Sequence, residues 1–223
     1  MPLTIAIDGP VGAGKSTVSD VVASRLGILH LDTGAMYRAV GLYMLENKVD
    51  ILDEGRVSAL CEAGKVNVDA RYEDGVQHTL LNDRDVTPFI RTQEVGGAAS
   101  AVSRYPAVRK MLVRRQQEMA RQQPMLLDGR DIGTVVLPNA TVKVYLTASS
   151  ESRAMRRMLQ LREKGDATPL EEIIREVNAR DYQDMHRETD PLRQAEDAVL
   201  VDSSDLTFDE TVNAILSLVE EKL

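Results

Sequence analysis

Short, almost uninterrupted apolar runs alternate along the chain with longer stretches in which apolar residues recur every three or four positions. Leu3-Thr-Ile-Ala-Ile-Asp8 has the pattern of a strand buried on both faces and runs into a glycine-rich turn. Lys15–Leu26 has helical spacing and stops at Gly27. A second strand, Ile28–Leu31, leads through an Asp32-Thr-Gly turn into a helix reaching about Glu46, and Asp53–Ala63 predicts a short helix. From Lys65 to Thr87 the period changes to two. Val66–Ala70 and Val76–Leu81 flank a Glu73-Asp-Gly75 turn, and Asn82-Asp83 offers another, so a small antiparallel insert is expected. Helices follow from Thr92 to about Val102 and from Pro106 to Gln122, the second with proline at its start. Met125–Asp128, Thr141–Leu146 and Ala198–Val201 read as three more strands. Between the last two lie a helix capped by Ser149 or Ser150, a break at Gly165–Pro169 and a helix over Leu170–Met185; Thr207–Leu223 is a closing amphipathic helix. Strands alternating with helices imply an α/β fold with a parallel sheet covered on both faces.

Composition narrows this picture without changing it. The chain has 223 residues, enough for one substantial core. Its net charge of -8 argues against nucleic acid as a partner, because a phosphate backbone demands a basic footprint. Cys61 stands alone, so no internal disulfide can form, which suits a reducing compartment. No apolar run approaches the ~18 residues of a membrane-spanning helix, and no basic stretch precedes Leu3–Ile7 as in a signal peptide. No membrane partner and a cytoplasmic location are therefore expected. His30, His78 and His186 lack metal-ligand spacing and are read as structural.

The chemistry starts at Gly9-Pro10-Val11-Gly12-Ala13-Gly14-Lys15-Ser16, a complete G-x-x-x-x-G-K-[ST] phosphate loop between a strand and a helix. Backbone N–H groups and the helix N-terminus cradle the phosphates, Lys15 reaches the β and γ positions, and the Ser16 hydroxyl is placed to ligate Mg²⁺. The motif implies a nucleoside triphosphate but not the reaction. Asn47-Lys-Val-Asp50 matches the guanine-reading pattern of GTPase switches, yet it lies too close behind the loop and no D-x-x-G intervenes, so it is read as a helix end and turn. Asp128-Gly-Arg130-Asp131 follows an apolar strand, where parallel sheets bind ligands. Arg153, Arg156 and Arg157 share one helix face, and Arg180, Asp184 and Arg187 share another. Singly, each cluster reads as a solvated charged face. Behind a phosphate loop, they read as the cations that phosphoryl transfer between two anions requires.

The segments IDGPVGAGKST, LDTGAMYR, IRTQEV, PAVR, LDGRDIGTVV, VYLTASSESRAMRRMLQL, ARDYQD and PLRQAEDAVLVDSS resemble the bacterial cytidylate kinase family along nearly the whole chain. The pairing of LDTGAMYR with DGRDIGT is far more specific than the phosphate loop. The resemblance implies a P-loop fold of five parallel strands with a core (about 1–31, 93–150 and 170–223), a monophosphate-binding region containing the insert (32–92) and a lid (151–169). It implies a monomeric ATP-dependent (d)CMP kinase of pyrimidine metabolism, using Mg²⁺. By position, Gly9–Thr17 hold the ATP phosphates, and Thr33 belongs to the acceptor turn. Arg38 and Arg130 grip the CMP phosphate, and Ser100, Arg109 and Asp131 read cytosine. Tyr37, Arg180 and Asp184 address the acceptor sugar and its surroundings, and Arg187 belongs to the same CMP-binding set. Lys15, Asp128, Arg130 and the lid arginines Arg153 and Arg157 serve catalysis. Two departures are Val11, where many relatives carry a small or hydroxylated residue, and Thr33, where serine is common. Kinases acting on UMP, AMP or shikimate are the near alternatives, and a GTPase-like switch the distant one.

Overall fold

The computed structural model describes residues 2–163 and 165–223. Residues 1 and 164, which fall in the expected core and lid, lie outside the described residues. The chain runs β1 (Thr4–Asp8), α1 (Lys15–Leu26), β2 (Leu29–Asp32), α2 (Thr33–Glu46) and α3 (Glu54–Glu62). The insert follows as β3 (Val68–Glu73), β4 (Val76–Leu81) and β5 (Arg84–Asp85). Then come α4 (Gln93–Val102), α5 (Pro106–Gln122), β6 (Met125–Gly129), a π-helical turn (Ile132–Val136) and β7 (Val142–Thr147). The chain closes with α6 (Ser150–Glu163), α7 (Leu170–His186), β8 (Val199–Asp202) and α8 (Phe208–Glu220).

The five expected core strands form one sheet in the order β2-β6-β1-β7-β8, and every pairing is parallel. Strand periodicity divides the core. Ile5, Ile7 and Leu126 face α1 and α8, packing on Val18, Val22, Val212 and Ile215. Ala6, Met125 and Leu127 point the other way, toward apolar residues of α2, α4 and α5. Two apolar faces need two helical layers, hence the sandwich.

The insert is a separate three-stranded antiparallel sheet, β3-β4-β5. Its turns use positive φ at Asp74, Asn82 and Asp83, residue types that tolerate the left-handed region. Asn47 caps the end of α2 and Lys48 turns left-handed, so the GTPase-like pattern is a helix end. Ser149 is the cap of α6, its hydroxyl accepting from the Ser152 N–H at 3.1 Å. The π-helical turn after Asp131 has no periodic signal in the sequence. It exists because Asp8, at the tip of β1, accepts from the N–H groups of Ile132 and Gly133, each at 2.7 Å.

Candidate active site

All the predicted chemistry gathers at the C-terminal ends of the parallel strands, where Asp32, Asp128 and Asp8 occupy adjacent tips. Gly9 leaves β1 pressed against β7. A Cβ there would lie 1.9 Å from the Leu146 carbonyl oxygen, so only glycine lets the loop turn. Gly14 is left-handed and leads into α1, aiming the helix N-terminus at the loop.

The loop is tied down from within. Lys15 Nζ donates to the Pro10 carbonyl at 2.8 Å, and the side chain is buried rather than solvent-facing, as its place in a loop motif would suggest. Burial, with Arg130 assisting, lowers its pKa to about 7 against the pull of Asp128, Asp184 and Asp8. Arg153 is buried too. It donates to the carbonyls of Ala148 (2.8 Å) and Val11 (3.0 Å) and to Asp181 (2.5 Å), while the Val11 N–H donates to Asp181 at 3.3 Å. Val11 thus makes backbone contacts, and its side chain packs on the small α6–α7 cluster of Ala154, Ile173 and Val177. Ala13 is buried, whereas Gly12 and Thr17 are exposed.

Asp128 is the hub of the site. Its Oδ2 accepts from the Ser16 hydroxyl at 2.8 Å, Oδ1 meets His30 Nε2 at 2.9 Å, and its carbonyl accepts from the Thr33 hydroxyl at 2.7 Å. Burial disfavours its charge, but His30, Lys15 and Ser16 hold the carboxyl below the usual carboxylate range. His30 also meets Asp20 at 2.6 Å, and although burial opposes it, Asp128 and Asp20 raise its pKa to about 10.

The remaining charged residues separate into paired and unpaired. Arg109, 2% exposed, binds Asp131 and Asp190 (2.8 Å to the latter) and lies 5.8 Å over the Tyr37 ring. Asp131 also meets Arg187 at 3.3 Å, so its anchors are Arg109 and Arg187 rather than its neighbour Arg130. Arg130 instead pairs with Asp184 at 2.8 Å. Arg180 lies 3.6 Å from the same carboxylate, with its Nε otherwise unsatisfied. Ser100 is buried and accepts from Gln183 at 2.9 Å. Among the described residues, Arg38 and Arg157 make no hydrogen bond or ion pair. Burial pushes the Arg38 pKa down, and Arg91, Arg130 and Arg157 push it further, with only Asp32 prominent in opposition. Arg180 is pushed down in the same way, by burial and by repulsion from Arg130 and Arg38.

Four residues escaped the sequence reading. By sequence alone Asp8 is a strand end, Asp181 and Asp190 carry no motif of their own, and His30 lacks metal-ligand spacing. The signal for His30 was available: Leu29 and Leu31 point into one core face, so alternation turns His30 toward α1 and Asp20.

A model of the cytidylate kinase family matches residues 5–221. The cytidylate kinase of Caldicellulosiruptor bescii is 47% identical over 216 residues, covering 97% of this chain and 95% of that one. The cytidylate kinase of Desulforamulus reducens is 48% identical over 217 residues, covering 97% and 96%. A crystal structure of an uncharacterized protein from Eubacterium ventriosum aligns over 99% of both chains at 12% identity with a TM-score of 0.53, a likeness of fold alone. With the phosphate loop, the Asp128 hub and the arginine cluster assembled on one sheet edge, and a match over nearly its whole length, this chain belongs to the cytidylate kinase family.

Proposed function

We propose that the chain transfers the γ-phosphoryl group of ATP to CMP or dCMP, giving ADP and CDP or dCDP. The observation that carries this is the family match over residues 5–221, reinforced by a complete phosphate loop beside unpaired arginines. Gly9–Thr17 hold the ATP phosphates. Arg38 and Arg130 receive the acceptor phosphate, which alone carries about -2. Ser100, Arg109 and Asp131 address the base, Tyr37, Arg180 and Asp184 the sugar and its surroundings, and Arg187 completes the CMP-binding set. Arg157, exposed on α6, joins when the lid (151–169) closes and excludes water.

No group of three or more His, Cys, Asp or Glu capable of holding a metal occurs among the described residues. Ser16 and Asp128 nonetheless offer a hydroxyl and a carboxylate 2.8 Å apart. These hard oxygen donors fit Mg²⁺ of the kind that keeps phosphate and water ligands. When bound with ATP, Mg²⁺ supplies neutralising charge at the phosphates. The chain's own part is positioning and charge. A CMP phosphate oxygen attacks the γ-phosphorus in line, Lys15 and the arginines stabilise the spreading negative charge, and no covalent enzyme intermediate forms.

The proposed enzyme acts as a monomer in the cytoplasm, a reducing setting that suits its lone free thiol, Cys61. No described helix is long and apolar enough to cross a membrane. A coupled assay of ADP formation over a panel of acceptors tests the function. CMP and dCMP should be good acceptors, UMP poor, and AMP and GMP inactive. Equal turnover of UMP or AMP would overturn the acceptor assignment, and slow GTP hydrolysis without acceptor dependence would indicate a switch instead.

A further inference from the structure

The insert contributes no residue to the site described above, yet it hydrogen-bonds to the tip of β2 beside that site. β2 is an edge strand. Its Leu29–Asp32 pairs with Met125–Asp128 of β6, and no core strand lies on its other side. The outward N–H and C=O groups of such an edge need partners from elsewhere. At Asp32 both are met by one side chain of β4. The Asp32 N–H donates to Gln77 Oε1 at 2.7 Å, and Gln77 Nε2 donates to the Asp32 carbonyl at 3.4 Å. In a strand these two backbone groups point to the same side, so the carboxamide stands in for the peptide of a missing neighbour. Its orientation is fixed by a further donation from Nε2 to Thr79 Oγ1 at 3.2 Å. Thr79 is 1% exposed, and its own N–H is held by the Thr87 hydroxyl at 2.8 Å, so the surrogate peptide rests on a firm base.

Asp32 is a sensitive place to hold. It is the cap of α2, its Oδ1 accepting from the Ala35 N–H at 3.0 Å, and its Oδ2 meets Arg91 at 3.2 Å. The next residue, Thr33, is hydrogen-bonded to Asp128. Tyr37 and Arg38 follow in the opening turns of the same helix. Gln77 and Thr79 also line, with His30, Ser16 and Arg91, a cavity of about 170 Å³ between insert and core. The insert therefore meets the core around the residues that aim α2.

We propose that Gln77 is a positioning residue through which the insert sets the N-terminus of α2, and with it the acceptor-binding side chains Tyr37 and Arg38. This rests on the reading of α2 as the acceptor helix. It makes the insert a device acting on the acceptor and not on ATP, since the phosphate loop is tied down by Arg153 and Lys15 without it.

The test uses the full chain and two variants that keep side-chain volume, Gln77→Met and Thr79→Val. Amide hydrogen exchange is followed at Asp32, with Leu127 of β6 as the internal control, alongside KM for CMP and for ATP. In Gln77→Met the Asp32 amide should exchange about tenfold faster while Leu127 is unchanged, because both edge hydrogen bonds are lost. KM for CMP should rise by about tenfold while KM for ATP stays within about twofold. Thr79→Val, which only unfixes the carboxamide, should move the same quantities in the same direction by less, and it carries the test alone if Gln77→Met does not fold. Unchanged Asp32 exchange, or equal rises in both KM values, would overturn the proposal. If the wild-type chain fails to phosphorylate CMP, the functional reading falls, while the exchange arm still decides the contact itself.

Discussion

The two sides of the site are prepared differently. Around the phosphate loop the groups are already paired: Lys15 on Pro10, Arg153 on Val11 and Asp181, Ser16 on Asp128. Around Arg38 of α2, Arg157 of α6 and Arg180 of α7 the cations are short of partners. Arg38 and Arg157 make no ion pair among the described residues, and burial together with mutual repulsion disfavours the charges on Arg38 and Arg180. A loop tied down in this way has its backbone in place before any phosphate arrives, and only the ends of Lys15 and Ser16 need exchange partners. Arginines left short of partners suit an anion that brings its own charge, so the side proposed to take the acceptor phosphate is the side left electrostatically incomplete.

Asp131 and Arg109, the residues proposed to read the base, stand between these extremes and give the largest expected effect. Asp131 is buried against Arg109 and Arg187, and burial raises its pKa despite those two cations. A carboxylate accepts from the N4 amino group of cytosine and repels O4 of uracil, which can discriminate by roughly 10⁴-fold. Asp131→Asn should shrink the CMP/UMP ratio of kcat/KM, because the amide can donate to O4. Asp131→Ala removes a partner from buried Arg109 and should destabilise the fold by about 3–5 kcal/mol by chemical denaturation. If Asp131→Asn lowers activity with CMP and UMP by the same factor, Asp131 serves only to hold Arg109.

Lys15→Ala breaks the prepared side. Turnover should fall by about 10²-fold or more through lost charge stabilisation. Because Lys15 is buried on the Pro10 carbonyl, the variant should also lose about 1–2 kcal/mol by denaturation while remaining folded. Full turnover in a folded variant would dissolve the assignment of the loop.

These contrasts mark where sequence reading succeeds and where it stops. The strands and helices were legible because buried parallel strands and amphipathic helices have distinct periods, and the phosphate loop because its glycines are dictated by backbone geometry. Asp8, Asp181 and His30 were not, because their roles come from partners more than a hundred residues away or from one tip of a neighbouring element. The same holds for Arg153. Spacing on α6 placed it beside Arg157, but only the fold sends one arginine into the phosphate loop and leaves the other exposed.

The smallest expected effect concerns His30. Its folded pKa is raised from 6.5 to about 10 by Asp128 and Asp20, with burial opposing. The sign follows from linkage. The interaction stabilises fully below the unfolded value of 6.5 and fades as pH rises through about 10. Lys15, lowered to about 7, pulls the other way over much of that window, so the effect is read as a difference: in the nucleotide-free chain with a chelator, the stability advantage of the wild type over His30→Leu should decline as pH rises across it. An unaltered slope in the variant would show that His30 does not carry it.

Arg38→Met tests the contrast between the two sides most directly, with thermal unfolding measured alone, with CMP and with ATP. Removing an uncompensated cation should leave the nucleotide-free protein at least as stable as the wild type. Stabilisation by CMP should be largely lost and stabilisation by ATP retained. A variant that is destabilised without nucleotide, or that keeps its response to CMP, would contradict the account.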